Sequence, residues 1–394
     1  MRILIGTDIR ATGLQDGWSA ESRLARALAG THDVHVARPA AARRAPTVPT
    51  LPGTVEHTVW SMPLAGHRHR RISVPIGLHR RAGDLLDRIR PDVVHVLGQL
   101  PLCRALITAA RDRGIAVVAT SHITPEALIA GLPVGEGGRA VAHEWLWRRA
   151  ARSLARADAV TAPTPYVAAL VTLAGIRPVH VVSTGVDLTR FRPGIATAAF
   201  RARHGITAGP IIGFVGRLDP DKGLDVLIRA LPTVRAQVDA RLLLVGDGDS
   251  RARLQALAGR LGVAEHVVFT GLLPDDELPA AYATMTVFAT AGTNHLRAGA
   301  LLEAMASGRA VVGAHAAAVP GLVRAGLTGL LFPPDDADAL AARLVELLAD
   351  PVRAAALGLH ARALAEQHDQ HLTVAGFEQI YRSVDSRPMR GAHR

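Results

Sequence analysis

The stretch Ile211-Ile212-Gly213-Phe214-Val215-Gly216-Arg217-Leu218-Asp219-Pro220-Asp221-Lys222-Gly223-Leu224 runs from a continuous apolar segment, through a loop rich in Gly, Pro and Asp, to the opening of a helix. A short apolar run bounded by turn residues and followed by an amphipathic pattern is the strand–loop–helix unit of a parallel α/β sheet. The same unit recurs downstream at Arg241 to Val245, His266 to Thr270, Val287 to Thr290, Arg309 to Gly313 and Gly329 to Phe332. Upstream it recurs at Arg2 to Thr7, Val34 to Ala37, Asp92 to Leu97, Ile115 to Thr120, Asp158 to Ala162 and Val179 to Ser183. A helix is expected over Ser19 to Ala29, with Ser19 as its N-cap.

Between the two series, Phe191-Arg192-Pro193-Gly194 has the composition of a linker. The expected organisation is therefore an N-terminal Rossmann-like domain over 1–190 and a C-terminal one over 195–370. A helix and tail follow over 371–394, with a return of that helix to the first domain left open. Arg38 to Gly53, rich in Pro and Arg, reads as a loop, and Ser386 to Arg394 as a frayed tail. Doubly wound sheets bind ligands outside the C-terminal ends of their strands, so function is expected in a cleft shared by the two domains.

The 394 residues suit two cores, because single cores stop growing at about 250–300 residues. With 49% hydrophobic and 20% charged residues, the chain is globular and not disordered. Its apolar runs fall short of the roughly 18 residues of a membrane span, and Asp8 interrupts the start too early for a signal peptide. A cytoplasmic protein is expected, with peripheral contact at the inner membrane face as an open addition. The lone Cys103 supports no disulfide or zinc framework and reads as core.

Net charge is +11, and Lys222 is the only lysine among 45 basic residues. Residues 1–190 carry 24 basic and 14 acidic side chains, 24 − 14 = +10, so the first half is expected to meet something anionic. Within it, His67-Arg68-His69-Arg70-Arg71 and His79-Arg80-Arg81 flank Ile72, Val74, Ile76 and Leu78. This pattern suits an anionic membrane surface, or equally a half-buried strand between two solvated Arg turns. No recognition motif accompanies the arginines, so no nucleic-acid partner is expected.

Two local patterns suggest a phosphate site. Arg217 and Lys222 follow a strand and can point toward a helix N-terminus, where free N–H groups and the dipole favour a diphosphate. Ala291-Gly292-Thr293-Asn294 enters a helix expected over His295 to Ser307, and Glu303 two turns in can accept from a pair of ribose hydroxyls. The plainer alternatives are a βα loop with solvated charges and an exposed helix carboxylate.

Taken together, Gly213-Phe214-Val215-Gly216-Arg217 with Lys222-Gly223, Val245-Gly246-Asp247-Gly248, Phe269-Thr270-Gly271, and Leu302-Glu303-Ala304-Met305-Ala306-Ser307-Gly308 resemble the retaining GT-B glycosyltransferases of family 4. The resemblance spans about residues 1 to 350. The first half, through Pro91-Asp92-Val93-Val94-His95-Val96, Ala119-Thr120-Ser121-His122 and Trp145-Leu146-Trp147, is similar to bacterial members that glycosylate diacylglycerol or related lipids.

The resemblance implies that Arg217 and Lys222 bind the donor diphosphate, that Gly271 lies by the base, and that Glu303 holds the ribose. It also implies that Gly17 lies by the diphosphate and His122 beside the transferred sugar. The implied donor set further includes Gly216, Leu272, Asn294, His295 and Leu296. One departure stands out: a family glutamate eight positions before Glu303 is His295 here, and the Gly three later is Ala298. His295 then tunes the sugar, with Asn294 contributing, or simply caps the helix.

The expected activity is transfer of a hexose, with UDP-hexose as donor, to a hydroxyl of a lipid or small hydrophobic acceptor, with retention. Alternatives are a secondary-metabolite enzyme acting on a soluble aglycone or aminosugar, and a nucleotide-sugar-binding partner without turnover. No cofactor and no metal are expected. Asp247-Gly248-Asp249 has the Asp-x-Asp spacing but matches a structural turn of the family. A dehydrogenase is disfavoured, since no G-x-G-x-x-G follows the first strand.

Overall fold

A computed structural model describes residues 1–11, 19–41, 51–64, 67–122, 135–207, 209–294 and 299–385. The chain divides into two compact units. The first is Met1–Ser183 together with the segment from Thr373 onward, and the second is Thr184–Leu372. The division thus falls before residue 190. Phe191-Arg192-Pro193-Gly194, expected as a linker, is packed into the second unit. Phe191 is buried edge-on against the Tyr282 ring at 5.6 Å, and its carbonyl accepts from Arg362 Nη1 at 2.8 Å.

The strands of the first unit are Arg2–Gly6 (β1), Ile9–Ala11 (β2), Asp33–Pro39 (β3), Thr54–Val59 (β4), Ser61–Leu64 (β5), His67–Ser73 (β6), Val93–Val96 (β7), Ala116–Thr120 (β8), Ala159–Ala162 (β9) and Val179–Val181 (β10). Seven of them form a parallel sheet in the order β10-β9-β8-β7-β1-β3-β4. Every residue of β7 and β9 is buried, so both strands are dominated by Val and Ala, and their polar members His95 and Thr161 are each hydrogen-bonded inside the sheet.

The remaining three pair antiparallel as β2-β6-β5. The basic segment around Arg70 is therefore a strand, and the span expected as a loop from Arg38 begins inside β3. Residues 42–50 lie outside the described set. Two arginines of the described strands are buried: Arg10 of β2 and Arg38 of β3 converge on Glu56, with Arg10 Nη1 2.7 Å from Oε1 and Arg38 on Oε2. Burial alone drives the Glu56 carboxyl up, but the two guanidinium groups prevail and hold it below its usual range.

From Thr373 onward the helix Gln370–Asp385 belongs to this first unit. Its Phe377, Ile380, Tyr381 and Val384 join Ile3, Ile5, Val34, Val93 and Val118 in one core. The Tyr381 hydroxyl lies 2.7 Å from His95 Nδ1, His95 Nε2 lies 2.6 Å from Thr120 Oγ1, and Thr120 reaches Thr161 Oγ1 at 2.6 Å. Burial pushes His95 down to about 3, so a neutral imidazole bridges the helix to three adjacent strands.

The second unit holds Ile211–Val215 (β11), Arg241–Val245 (β12), Val267–Gly271 (β13), Val287–Thr290 (β14), Ala310–Ala314 (β15) and Gly329–Phe332 (β16). All are parallel, in the order β13-β12-β11-β14-β15-β16. The order reverses between β11 and β14, the topological switch point outside whose strand ends doubly wound sheets bind ligands. The loops after these two strands are those bearing Arg217 with Lys222 and Gly292 with Asn294.

Candidate functional site

The loop after β11 is shaped by glycine. Gly223 has φ +61° and caps the helix Leu224–Arg235. A Cβ there would lie 2.6 Å from the Ala291 carbonyl oxygen, so only glycine lets this loop close on the one after β14. Leu218 N donates to Asp247 O at 3.0 Å, Gly216 N to Val245 O at 3.0 Å and Gly246 N to Gly271 O at 2.9 Å, which ties the ends of β11, β12 and β13 together. Gly216, Gly246 and Gly271 thus form one backbone floor, with Leu272 half-buried beyond it.

Both cations on this floor are paired with carboxylates. Arg217 contacts Asp219, and Lys222 Nζ lies 2.8 Å from Asp221 Oδ2. Burial pulls the Lys222 ammonium below its usual range, with Asp221 opposing that pull. The plainer alternative of a solvated loop does not fit a lysine side chain that is 16% exposed.

Glu303 lies in the helix Gly299–Ala306 and is buried, contrary to the alternative of an exposed carboxylate. Its Oε2 accepts from the Tyr282 hydroxyl at 2.7 Å. Asn294 is half-buried in the loop leading to this helix. His295, Leu296 and Ala298, and Gly17 in the first unit, lie outside the described residues. The described part of this helix is Gly299–Ala306.

His122 belongs to the first unit, directly after β8. It is buried, with Nδ1 3.6 Å from Glu21 Oε1. Glu21 sits in the first turn of the helix Ala20–Leu28, whose N-cap Ser19 accepts from Ser22 N at 3.1 Å. The structure thus gathers Gly216, Arg217, Lys222, Gly271, Leu272, Asn294 and Glu303 in the second unit and holds His122 in the first.

Sequence reasoning missed Asp219 and Asp221 as counter-ions, Glu21 as the neighbour of His122, and Tyr282 as the partner of Glu303. The aspartates were visible beside the cations, whereas nothing in sequence links Tyr282 to a residue 21 positions away. Among the described residues no group of three or more His, Cys, Asp or Glu side chains could hold a metal ion. No helix among them is long and apolar enough to cross a membrane.

Comparison with known proteins agrees with this architecture. Residues 22–190 match the family described as Glycosyltransferase Family 4, and residues 209–350 match Glycosyl transferases group 1. The chain belongs to the family 4 glycosyltransferases, and its two parallel-sheet units are those of the GT-B fold.

Among its relatives, a GDP-mannose-dependent alpha-mannosyltransferase of Mycolicibacterium smegmatis is 34% identical over 280 residues, 71% of each chain. A GDP-mannose-dependent alpha-(1-6)-phosphatidylinositol monomannoside mannosyltransferase of the same species is 44% identical over 187 residues. That match takes in 45% of this chain and spans about half, 49%, of the relative. Of solved structures, a sucrose-phosphate synthase from Thermosynechococcus elongatus superposes with a TM-score of 0.78 at 20% identity, over 97% of this chain and 99% of that one.

Proposed function

We propose that the protein is a retaining mannosyltransferase that moves mannose from GDP-mannose to a hydroxyl of an inositol-containing or other lipid acceptor. The observation that supports this reading is the pair of cations Arg217 and Lys222 on the loop after β11, which Gly223 packs against Ala291 at the start of the loop after β14. The activities of the two mycobacterial relatives supply the donor and acceptor classes. They move the proposed donor from the UDP-hexose expected from sequence to GDP-mannose.

In this reading Gly216, Arg217 and Lys222 bind the diphosphate, joined by Gly17. Gly271 and Leu272 lie by the base, and Glu303 accepts from the ribose diol. Asn294, His295 and Leu296 are assigned to the donor's sugar, and His122 of the first unit to the transferred sugar as well. Departure of the nucleoside diphosphate builds negative charge on the leaving oxygen. Preorganised cations oppose that charge without rearranging at the moment of reaction. The proposal requires no cofactor and no metal.

A donor panel tests it. Nucleotide release is expected to be fastest from GDP-mannose, to persist in EDTA, and to give a product with the anomeric configuration of the donor. Release from UDP-glucose but not GDP-mannose would return the donor to a UDP-hexose, and binding without release would favour a partner lacking turnover. A soluble aglycone turned over in preference to lipid would favour secondary metabolism.

We also propose peripheral contact of the first unit with an anionic membrane. Trp60 and Ile76 are 65% and 74% exposed, and the Arg81 guanidinium lies 5.9 Å from the Trp60 ring centroid. Arg71 is not part of this surface. Its guanidinium is spent inside the sheet on Ser61 Oγ at 2.8 Å and on the carbonyls of Ser61 and Ala40.

Exposed apolar side chains with an arginine beside them suit a headgroup region, where each basic side chain contributes about 1 kcal/mol. Sedimentation with anionic vesicles at low salt is the expected result. It should be lost in Trp60→Ala/Arg80→Gln/Arg81→Gln, with GDP binding intact. Equal binding to neutral vesicles, or none to anionic ones, would remove the proposal.

A further inference from the structure

We infer that Tyr282 is a positioning residue for the donor ribose: by holding one oxygen of Glu303, it fixes the rotation of the carboxylate that receives the ribose hydroxyls. The inference rests on the reading of Glu303 given above.

Tyr282 is wholly inaccessible to solvent, in the helix Leu278–Thr284. Its ring is held between Phe191, edge-on at 5.6 Å and 86°, and Phe288 at 6.1 Å. Two aromatic neighbours leave the phenol little freedom, so its hydroxyl is a fixed donor 2.7 Å from Glu303 Oε2.

The terminal torsion of a glutamate is otherwise broad, and its carboxylate offers about four acceptor sites on two oxygens. A short, charge-assisted bond to one oxygen selects a single rotation. The plane of the carboxylate is then set before the nucleotide arrives, which a contact to a vicinal diol requires. Tyr282 touches no part of the donor in this scheme, and its influence passes entirely through Glu303.

The test compares affinities for GDP and for 2′,3′-dideoxy-GDP, with UDP and 2′,3′-dideoxy-UDP run in parallel so that base identity does not confound it. The parent protein should prefer the nucleotide bearing the diol by about tenfold or more, the scale of hydrogen bonds to a charged acceptor. Tyr282→Phe preserves the ring packing and removes only the donor. It should lose about tenfold in affinity for the diol form while its affinity for the dideoxy form stays within about twofold. In Glu303→Gln the preference should also fall, and adding Tyr282→Phe should change it no further, as expected for two residues acting through one contact.

A purely structural tyrosine would weaken both nucleotides alike and leave their ratio untouched, which would overturn the inference. A parent protein that did not distinguish the two forms would instead overturn the role of Glu303. The two failures are therefore separable.

Discussion

Lys222→Ala and Arg217→Ala should each lower kcat/KM by about a hundred- to a thousandfold, or about 2.7 to 4 kcal/mol of transition-state stabilisation, the scale for removing one preorganised donor. Circular dichroism and unfolding midpoint should stay near the parent, because neither side chain belongs to the core cluster of the second unit.

The pairing with carboxylates sharpens the expectation. Removing Lys222 leaves Asp221 unneutralised at the place where the diphosphate arrives, so part of the loss is repulsion and not a missing attraction. In an Asp221→Asn background the same Lys222→Ala change should therefore cost less. Steady-state kinetics on the four proteins reads this directly. Wild-type turnover in Lys222→Ala, or an equal loss in both backgrounds, would remove the lysine or its counter-ion from the account.

Gly246→Ala should be the most damaging single methyl in the second unit. A Cβ at this residue would stand 1.9 Å from the Gly216 carbonyl oxygen, and the backbone sits at φ +130°, a region closed to side chains. The obstructing atom is backbone, so no rotamer change relieves it. Strain and displacement together should cost about 3 to 5 kcal/mol, seen as a fall in the unfolding midpoint and loss of nucleotide binding. Gly259→Ala is the matched control. It lies in the helix Arg251–Arg260 with nothing within 4 Å of the new methyl, and there alanine should stabilise by up to about 1 kcal/mol. Similar midpoints for the two variants would contradict the steric argument.

The parallel sheets were legible because covering both faces of a strand forces an uninterrupted aliphatic run, as in β11 and β15, whose positions are all buried. The strands that escaped notice lack that signature. β4 reads Thr-Val-Glu-His-Thr-Val with only partial burial, and β6 is mostly arginine and histidine. Their strand state comes from pairing with neighbours and, for Arg71, from a guanidinium that satisfies carbonyls of an adjoining segment.

The candidate site divides the same way. Arg217, Lys222 and Glu303 stand at recognisable distances from turn residues and strand ends. Whether Glu303 faced water or the interior, and what held it, depended on a tyrosine brought alongside only by the fold. Proximity in sequence was a better guide for Asp219 and Asp221, yet their pairing still required the geometry of the loop.

The docking of Gln370–Asp385 on the first sheet gives the two units different histories during synthesis. The second unit is a continuous segment and has all its strands and helices once Leu372 has left the ribosome. The first, although translated earlier, waits through about 190 further residues for the aromatic pair Phe377 and Tyr381 that covers Ile3, Ile5 and Val93 and gives His95 its hydroxyl. At the roughly 5 to 20 residues per second of translation, that interval lasts about 10 to 40 seconds. The part of the molecule born first is thus the last to be sealed, and its apolar flank stays open to chaperones, or to a neighbouring nascent chain, for that whole interval.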